Sequence, residues 1–380
     1  MQPHTLEARQ PATDAPIFIL ADDLTGACDS GVAFVASGRA VRIVLDAENF
    51  TPSTKTGGVV LAITTETREL PRQQAFDRVA QITALLRNTP RCVLFKKVDS
   101  AARGHFATET MAALDASGAA LALVAPAFPQ AGRTVDNALL HIRDAAGQDT
   151  IVALRDLFAQ VEPTHIANIP TGDVTALEQG IASALATGVR ILLCDAKIQS
   201  DLDHLALAAS SFASSILWTG SAGLAYAFAA TLPASHYVPM RPEANEGRTL
   251  LFTGTDHPVT TLQLSHLNQQ PTTPAHDLHA INWPTTSPAQ IRAAFNAVPT
   301  AALILTGGET AAYVLRALNA RSILLAGEVA PGIPWGYIEG GDANGCLVVT
   351  KSGGFGPHDA LADAIHFCTH IHIGSAHVSA

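Results

Sequence analysis

The sequence predicts an α/β protein of two domains, each a mainly parallel sheet flanked by helices. Three observations carry that expectation. Short apolar runs rich in Val, Ile and Leu alternate with longer segments of helical periodicity from residue 17 onward. These runs keep ending in polar or glycine-rich clusters, as strands of an open parallel sheet do where their carboxyl ends face a crevice. The alternation breaks once, between Pro233 and Gly247, where Pro, Ser, His, Glu and Asn cluster without apolar periodicity, marking an interdomain linker.

Residues 1–16 are polar, with prolines and acidic side chains, and read as a flexible N-terminal arm rather than a signal peptide. Ile17-Phe18-Ile19-Leu20 is a strand that runs into Asp22-Asp23 and then into a Leu24-Thr25-Gly26 helix opening. Leu24, Ala27, Cys28, Val32 and Val35 recur at helical spacing, and Gly38 stands where a C-terminal cap is expected. Asp22 and Asp23 therefore face a crevice, or else simply cap the helix, where its dipole favours acid. Val41–Leu45 and Gly58–Ile63 read as strands and Arg72–Arg87 as an amphipathic helix. The strand Cys92–Lys96 leaves into Lys97-Val98-Asp99-Ser100 and Arg103-Gly104-His105, with a helix to about Ala116. Leu121–Val124 runs into a loop ending at Gly132-Arg133, Val189–Cys194 into Asp195, and Ser215–Trp218 into Gly220-Ser221-Ala222-Gly223. Beyond the linker, Arg248–Phe252 meets Gly254-Thr255-Asp256-His257, with a helix from Val259, and residues 271–287 look irregular. Ala301–Leu305 leads into Thr306-Gly307-Gly308-Glu309-Thr310 and an Ala-rich helix. Cys346–Thr350 passes through Lys351-Ser352-Gly353-Gly354-Phe355-Gly356 into a helix capped near Asp359.

Composition excludes several classes. A net charge of −10 argues against nucleic acid or an anionic membrane as partner. Five widely spaced cysteines without a Cys-x-x-Cys pair read as reduced cytoplasmic thiols. No window holds eighteen uninterrupted apolar residues, so no membrane span is expected. No Gly-Lys dipeptide occurs, which removes a Walker A loop, and no Gly-x-Gly-x-x-Gly follows a strand. His366, Cys368, His370 and His372 lack a second ligand group of matching spacing, so no metal site is assigned there. Ser221 lacks the glycine two positions earlier that a nucleophile elbow needs.

What remains suits two anions. Gly307-Gly308-Glu309-Thr310 and Gly353-Gly354 leave backbone N–H groups free beside helix starts, with Lys351 adding charge at the base of the second loop. Glu309 beside a polyphosphate implies Mg²⁺ held through water, or a carboxylate turned toward the nucleoside. Lys96, Lys97, Arg103 and Arg133 place positive charge at strand ends of an acidic protein, which fits a small carboxylate substrate. Asp22, Asp23, Asp29 and Asp99 offer acceptors for its hydroxyls, and one of them a general base. Alternatively, Asp99 and Arg103 satisfy each other in an ion pair.

Asp22-Asp23-Leu24-Thr25-Gly26, Lys97-Val98-Asp99-Ser100 with Arg103-Gly104, Ala125-Pro126-Ala127-Phe128-Pro129 with Gly132-Arg133, Gly220-Ser221-Ala222-Gly223, Thr306-Gly307-Gly308-Glu309-Thr310, Gly327-Glu328 with Pro331-Gly332-Ile333-Pro334, and Lys351-Ser352-Gly353-Gly354-Phe355-Gly356 follow one another in this order. The ordered series resembles the four-carbon acid sugar kinase family over nearly the whole chain after residue 16. The resemblance implies a sugar-acid domain at 17–232, a nucleotide-binding domain at 248–380 and an active site in the cleft between them. It implies ATP and Mg²⁺ as cofactors and transfer to the terminal hydroxyl of D-threonate, with D-erythronate, a 3-oxo-tetronate or a non-catalytic acid sensor as alternatives. It also implies a cytoplasmic homodimer. By motif, Asp22, Asp23, Asp29, Lys97, Asp99, Arg103 and Arg133 face the acid, with Asp23 and Asp99 as the catalytic carboxylates and Asp23 the first candidate for base. Gly254, His257, Gly307, Gly308, Glu309, Thr310, Lys351, Gly353 and Gly354 hold ATP. Two positions depart from the family pattern. Gly254-Thr255-Asp256-His257 replaces a Gly-Ser with a further serine two positions on, and Ala102 stands where a leucine is common, either enlarging the substrate pocket or only repacking it.

Overall fold

The computed structural model describes residues 15–47, 50, 58–143, 147–235, 247–270, 276–282 and 285–376. The arm expected at 1–16 and the linker expected at 233–247 lie almost wholly outside them. The chain opens with β1 (Ile17–Ala21), α1 (Leu24–Val35), β2 (Ala40–Val44), β3 (Val59–Thr64), α2 (Arg72–Leu86), β4 (Val93–Lys97), α3 (Phe106–Ser117) and β5 (Leu121–Ala125). An antiparallel excursion follows, β6 (Arg133–Asp136), β7 (Leu139–Arg143) and β8 (Asp149–Ala153), and then a short α4 (Leu154–Leu157). The first half closes with β9 (Ile166–Ile169), α5 (Val174–Ala186), β10 (Ile191–Cys194), α6 (Gln199–Ala209), β11 (Ile216–Gly220) and α7 (Ala222–Thr231). The second half runs β12 (Arg248–Thr253), α8 (Pro258–Asn268), β13 (His276–Ala280), α9 (Pro288–Asn296), β14 (Thr300–Thr306) and α10 (Gly308–Ala317). It ends in β15 (Ser322–Ala330), β16 (Ile333–Glu339), β17 (Leu347–Lys351) and α11 (Ala360–Ala376). No helix among the described residues is long and apolar enough to cross a membrane.

Each half is the expected parallel sheet. Strands β2-β3-β1-β4-β11-β5-β10-β9 are parallel throughout, as are β13-β12-β14-β17. Helices cover both faces, so β1, β4, β5 and β11 are buried along their whole length and need continuous apolar runs. The two sheets are not separate, however. The β15–β16 hairpin pairs antiparallel with β17 on one side and β2 on the other, giving one sheet of 14 strands. The hairpin removes two open edges, and Arg42 on β2 locks it with a bidentate ion pair to Glu339 at 2.6 and 2.8 Å.

Several elements went unread in the sequence, β6 to β9 with α4 and α5 between Arg133 and Ala186 among them. The β15–β16 hairpin hides behind glycines and Pro334, and β13 is an edge strand with the polar sequence His-Asp-Leu-His-Ala, lying where only irregular chain was expected. The β6–β7 turn holds Asn137 and Ala138 at φ of +51° and +59°, the twist that a two-residue hairpin needs. Asp195, a strand-end acid, accepts their N–H groups at 2.8 and 3.0 Å.

Helix α1 joins the halves. Ten of its twelve residues are buried, because it packs on β2 and β3 of the first half and on β15 and α10 of the second. A Cβ on Gly31 would lie 3.1 Å from both Val41 and Leu325, one from each half, so a larger residue would force these side chains to shift. The residues that open this shared helix are Asp22 and Asp23.

Candidate active site

A cleft of about 1370 Å³ lies between the carboxyl ends of the two parallel sheets. Its first wall is built at the ends of β1, β3 and β4. Asp23 caps α1, Oδ1 accepting from the Gly26 N–H at 2.7 Å while Oδ2 accepts from the Thr25 hydroxyl at 3.0 Å. The capping role and the cleft-facing position thus coexist in one residue. Asp22 is buried and held by Arg68, whose Nε and Nη2 donate to its two oxygens at 2.7 and 3.0 Å. Burial penalises the Asp22 carboxylate, yet Arg68, Lys96 and Lys97 outweigh it and hold its pKa below the usual carboxylate range.

Asp99 turns out to be the anchor of an ion pair. Its Oδ1 accepts from the Ala101 and Arg103 N–H groups and from Arg103 Nε, and its Oδ2 from Arg103 Nη2 at 2.6 Å. Burial opposes that charge, but Arg103, Arg68 and Lys97 pull the Asp99 pKa far down. With four hydrogen bonds accepted, Asp99 orients Arg103 and is placed as its support rather than as a second catalytic carboxylate. Arg103 is 65% exposed and projects into the cleft. Arg133 and Arg143 reach the same space from the β6–β7 hairpin.

Two other expectations change. Lys96 is buried in an ion pair with Glu109 at 2.8 Å, away from the cleft. Asp29 sits in the second turn of α1 outside the cleft lining, with Oδ1 enclosed and without a hydrogen-bond partner among the described residues. Burial pushes its pKa up to about 8 despite nearby Lys97, so it is a neutral acid near pH 7 rather than a substrate-facing carboxylate. Lys97 also stays behind the wall, its Nζ 3.0 Å from where a Gly26 Cβ would stand. Ala102 has φ of +56° and packs against the core, while its neighbour Ala101 lines the cleft; the missing leucine therefore repacks the support.

The second wall comes from the ends of β12, β14 and β17, three adjacent parallel strands. Gly307 has φ of +97° and opens α10 with no side-chain cap among the described residues, leaving the first-turn N–H groups directed at the cleft. Gly254, His257, Gly308, Glu309, Thr310, Gly353 and Gly354 line the same wall. The loops interlock through Thr255, since a Cβ on Gly353 would stand 2.9 Å from Thr255 Oγ1 and one on Gly307 would stand 3.3 Å from its Cβ. His257 caps α8, its Nδ1 accepting from the Val259 N–H at 3.2 Å, and its ring covers Gly354. Lys351 is corrected from an anion contact to an internal strut. It is buried beneath the loop, donating to Ser352 O at 2.9 Å with Phe355 O and Thr260 Oγ1 at 3.3 and 3.4 Å. Burial lowers its pKa to about 8.

Sequence reasoning missed Arg68, which binds Asp22 and Asp23 and lies 3.7 Å from Asp99. The signal was present, for Arg68 follows the end of β3 just as the recognised residues follow β1 and β4. Ser221 and the C-terminal histidines do nothing catalytic that the geometry reveals. Ser221 donates to Ala127 O and caps α7, and no cluster of three metal-ligating side chains occurs among the described residues.

A cleft that sets carboxylates and arginines against the uncapped, glycine-flanked start of α10 suits an α/β protein that handles two anionic substrates. Residues 17–228 match the family model of a sugar-binding N-terminal domain and residues 289–361 that of a nucleotide-binding C-terminal domain. A D-threonate kinase of Bordetella bronchiseptica is 30% identical over 92% of this chain and 96% of its own. A D-erythronate kinase of Heliobacterium modesticaldum is 30% identical over 62% of this chain and 56% of its own, and a 3-oxo-tetronate kinase of Cupriavidus necator 23% over 91% and 95%. A solved Salmonella typhimurium structure shares the fold, with a TM-score of 0.71 at 20% identity over 92% of this chain and 98% of that one. A Bordetella bronchiseptica structure, 28% identical with a TM-score of 0.50 over 93% and 98%, is described as a domain-swapped dimer with bound citrate. The chain belongs to the four-carbon acid sugar kinase family. It is a phosphotransferase with an alcohol group as acceptor.

Proposed function

We propose that the protein transfers the γ-phosphoryl group of ATP to the terminal hydroxyl of D-threonate. One observation carries the catalytic assignment: a Cβ on Gly308 would lie 3.2 Å from Asp23 Oδ2, so the opening of α10 and the α1 carboxylate meet at one point. An anion seated on α10 then has its outer phosphoryl group beside a base. Asp23 orients the attacking hydroxyl and takes its proton, while Arg103 and Arg133 clamp the acid's carboxylate. Citrate in a relative supports a cleft that accepts carboxylates. The α10 amides stabilise charge on the transferring group. Residues 17–232 form the acid domain in this reading and residues 248–380 the nucleotide domain.

With Arg68 occupying Asp22 and Asp23, Mg²⁺ suits a complex with ATP phosphates and water, with Glu309 in the first turn of α10 as a carboxylate to hold it through water. Such an ion neutralises charge on the polyphosphate. D-Threonate ranks first because the relative so named matches nearly the full chain, whereas the D-erythronate kinase matches about three fifths. The domain-swapped relative supports a homodimer, which light scattering would measure.

The test is ADP release from ATP and Mg²⁺ with D-threonate, D-erythronate, their L-forms and 3-oxo-tetronates. Release with D-threonate well above the others supports the reading. Strong release with another acid reassigns the substrate, and silence with ADP still bound leaves an acid sensor.

A further inference from the structure

Arg68 meets three carboxylates of the acid wall, and the reaction described above gives it no task. Its guanidinium forks onto Asp22 at 2.7 and 3.0 Å, meets Asp23 Oδ2 at 2.6 Å and lies 3.7 Å from Asp99 Oδ2. Three carboxylates from two loops therefore converge on one cation. The loop that presents it is tied to the end of β1, with the Thr65 N–H donating to Ala21 O at 2.8 Å and the Thr67 N–H to Asp22 O at 3.0 Å. Gly104, at φ of +72°, leaves room for the arginine's stem, since a Cβ there would stand 3.4 Å from both Arg68 Cγ and Asp22 Oδ2. Glu66, two residues earlier at φ of +48°, crosses the cleft to pair with Arg316 on α10. One short loop thus touches the carboxylates on one wall and the phosphate-facing helix on the other.

We infer that Arg68 is a positioning residue for phosphoryl transfer, fixing Asp22 and Asp23 in place opposite the opening of α10. The inference rests on Asp23 as base. Without Arg68 the two carboxylates, side by side in sequence, repel each other and lose their shared countercharge. Lys97 and Lys96 on β4 and Arg103 beside Asp99 remain as positive groups nearby. Glu66 on the same loop and Glu309 on α10 add negative charge, Asp29 on α1 stays neutral near pH 7, and Arg316 answers Glu66. Lysine keeps the charge but lacks the fork that reaches both aspartates at once.

Arg68→Met and Arg68→Lys should be compared with the unaltered protein for kcat, KM, ADP affinity and melting temperature. The methionine variant should lose kcat by about 100-fold, with KM for the acid and ADP affinity nearly unchanged. The lysine variant, which keeps the charge, should restore part of kcat. An unchanged kcat, a loss of ADP affinity alongside kcat, or a lysine variant no better than methionine overturns the inference and leaves Arg68 as packing. If Arg68→Met fails to fold, Arg68→Gln, which keeps a donor toward Asp22 without the charge, is read the same way. An unaltered protein inert toward every acid sinks the proposed function, whereas an active protein with an unaffected Arg68→Met variant sinks only the role of Arg68.

Discussion

The two walls of the cleft solve anion and hydroxyl binding by opposite means. On the acid wall almost every charged group already has a partner: Asp22 and Asp23 hold Arg68, and Asp99 holds Arg103. On the nucleotide wall the start of α10 carries no side-chain cap, and the nearest lysine is withdrawn beneath a loop. An acid entering the first wall must exchange with ion pairs already in place, so selectivity resides in which pairs yield. A phosphate entering the second displaces no side-chain partner at the α10 start. Its binding is sequence-tolerant wherever glycine can be kept, and sharply intolerant where a Cβ would intrude.

The largest expected effect tests the side-chain wall. Asp23→Asn keeps the size and the Gly26 contact, loses the carboxylate oxygen that accepts from Thr25 and Arg68, and cannot take a proton, so kcat should fall about a thousandfold. ADP affinity, measured by calorimetry, should stay near its original value because the nucleotide loops are untouched. Turnover within a few-fold of the unaltered protein would remove Asp23 from the base role and erase the proposed division of labour between the walls.

The same contrast explains what was legible in the sequence. Strand-end acids and glycine clusters announce themselves locally, and so the loops around Asp22, Arg103, Gly307 and Gly353 were found. Partner choice is a tertiary fact. Whether Lys96 faces a ligand or Glu109, and whether Asp99 is free or saturated, depends on elements far apart in the chain, such as the helix that carries Glu109. The strands read correctly are central and covered on both faces, as β1 and β14 are. Those missed are the two edge strands, β13 and β9, and hairpins whose turns carry their information in backbone angles. The union of the two sheets went unread for the same reason, because edge pairing between β2 and β15 leaves no mark on either strand's pattern.

A smaller effect sharpens the comparison on the nucleotide wall. Lys351 supports the Ser352–Gly356 loop from below by donating to its carbonyls. Lys351→Met leaves those carbonyls without a cation, and KM for ATP should rise about tenfold while kcat changes little. In the unaltered protein KM for ATP should also climb above pH 8, where the ammonium loses its proton, and the methionine variant should lack that climb. An unchanged KM in the variant would mean that Thr255 and the glycines hold the loop by themselves.

The smallest effect on activity concerns Asp29, which lies behind the acid wall and is neutral near pH 7 because burial raises its pKa to about 8. Asparagine is nearly the same shape and also neutral, so Asp29→Asn should keep kcat and KM within about threefold at pH 7. Stability is the more telling readout. Between the ordinary carboxylate value of 3.8 and about 8, the folded protein keeps a proton on Asp29 that the unfolded chain has released. The folded state therefore binds more protons, and stability falls as pH rises through that window. Asparagine removes the titration, so the fall should flatten, and the variant should gain melting temperature relative to the unaltered protein as pH approaches 8. A variant that loses both activity and stability at pH 7 would instead mean that Asp29 is charged there and paired with Lys97. The acid wall would then extend one helical turn deeper than the cleft lining indicates.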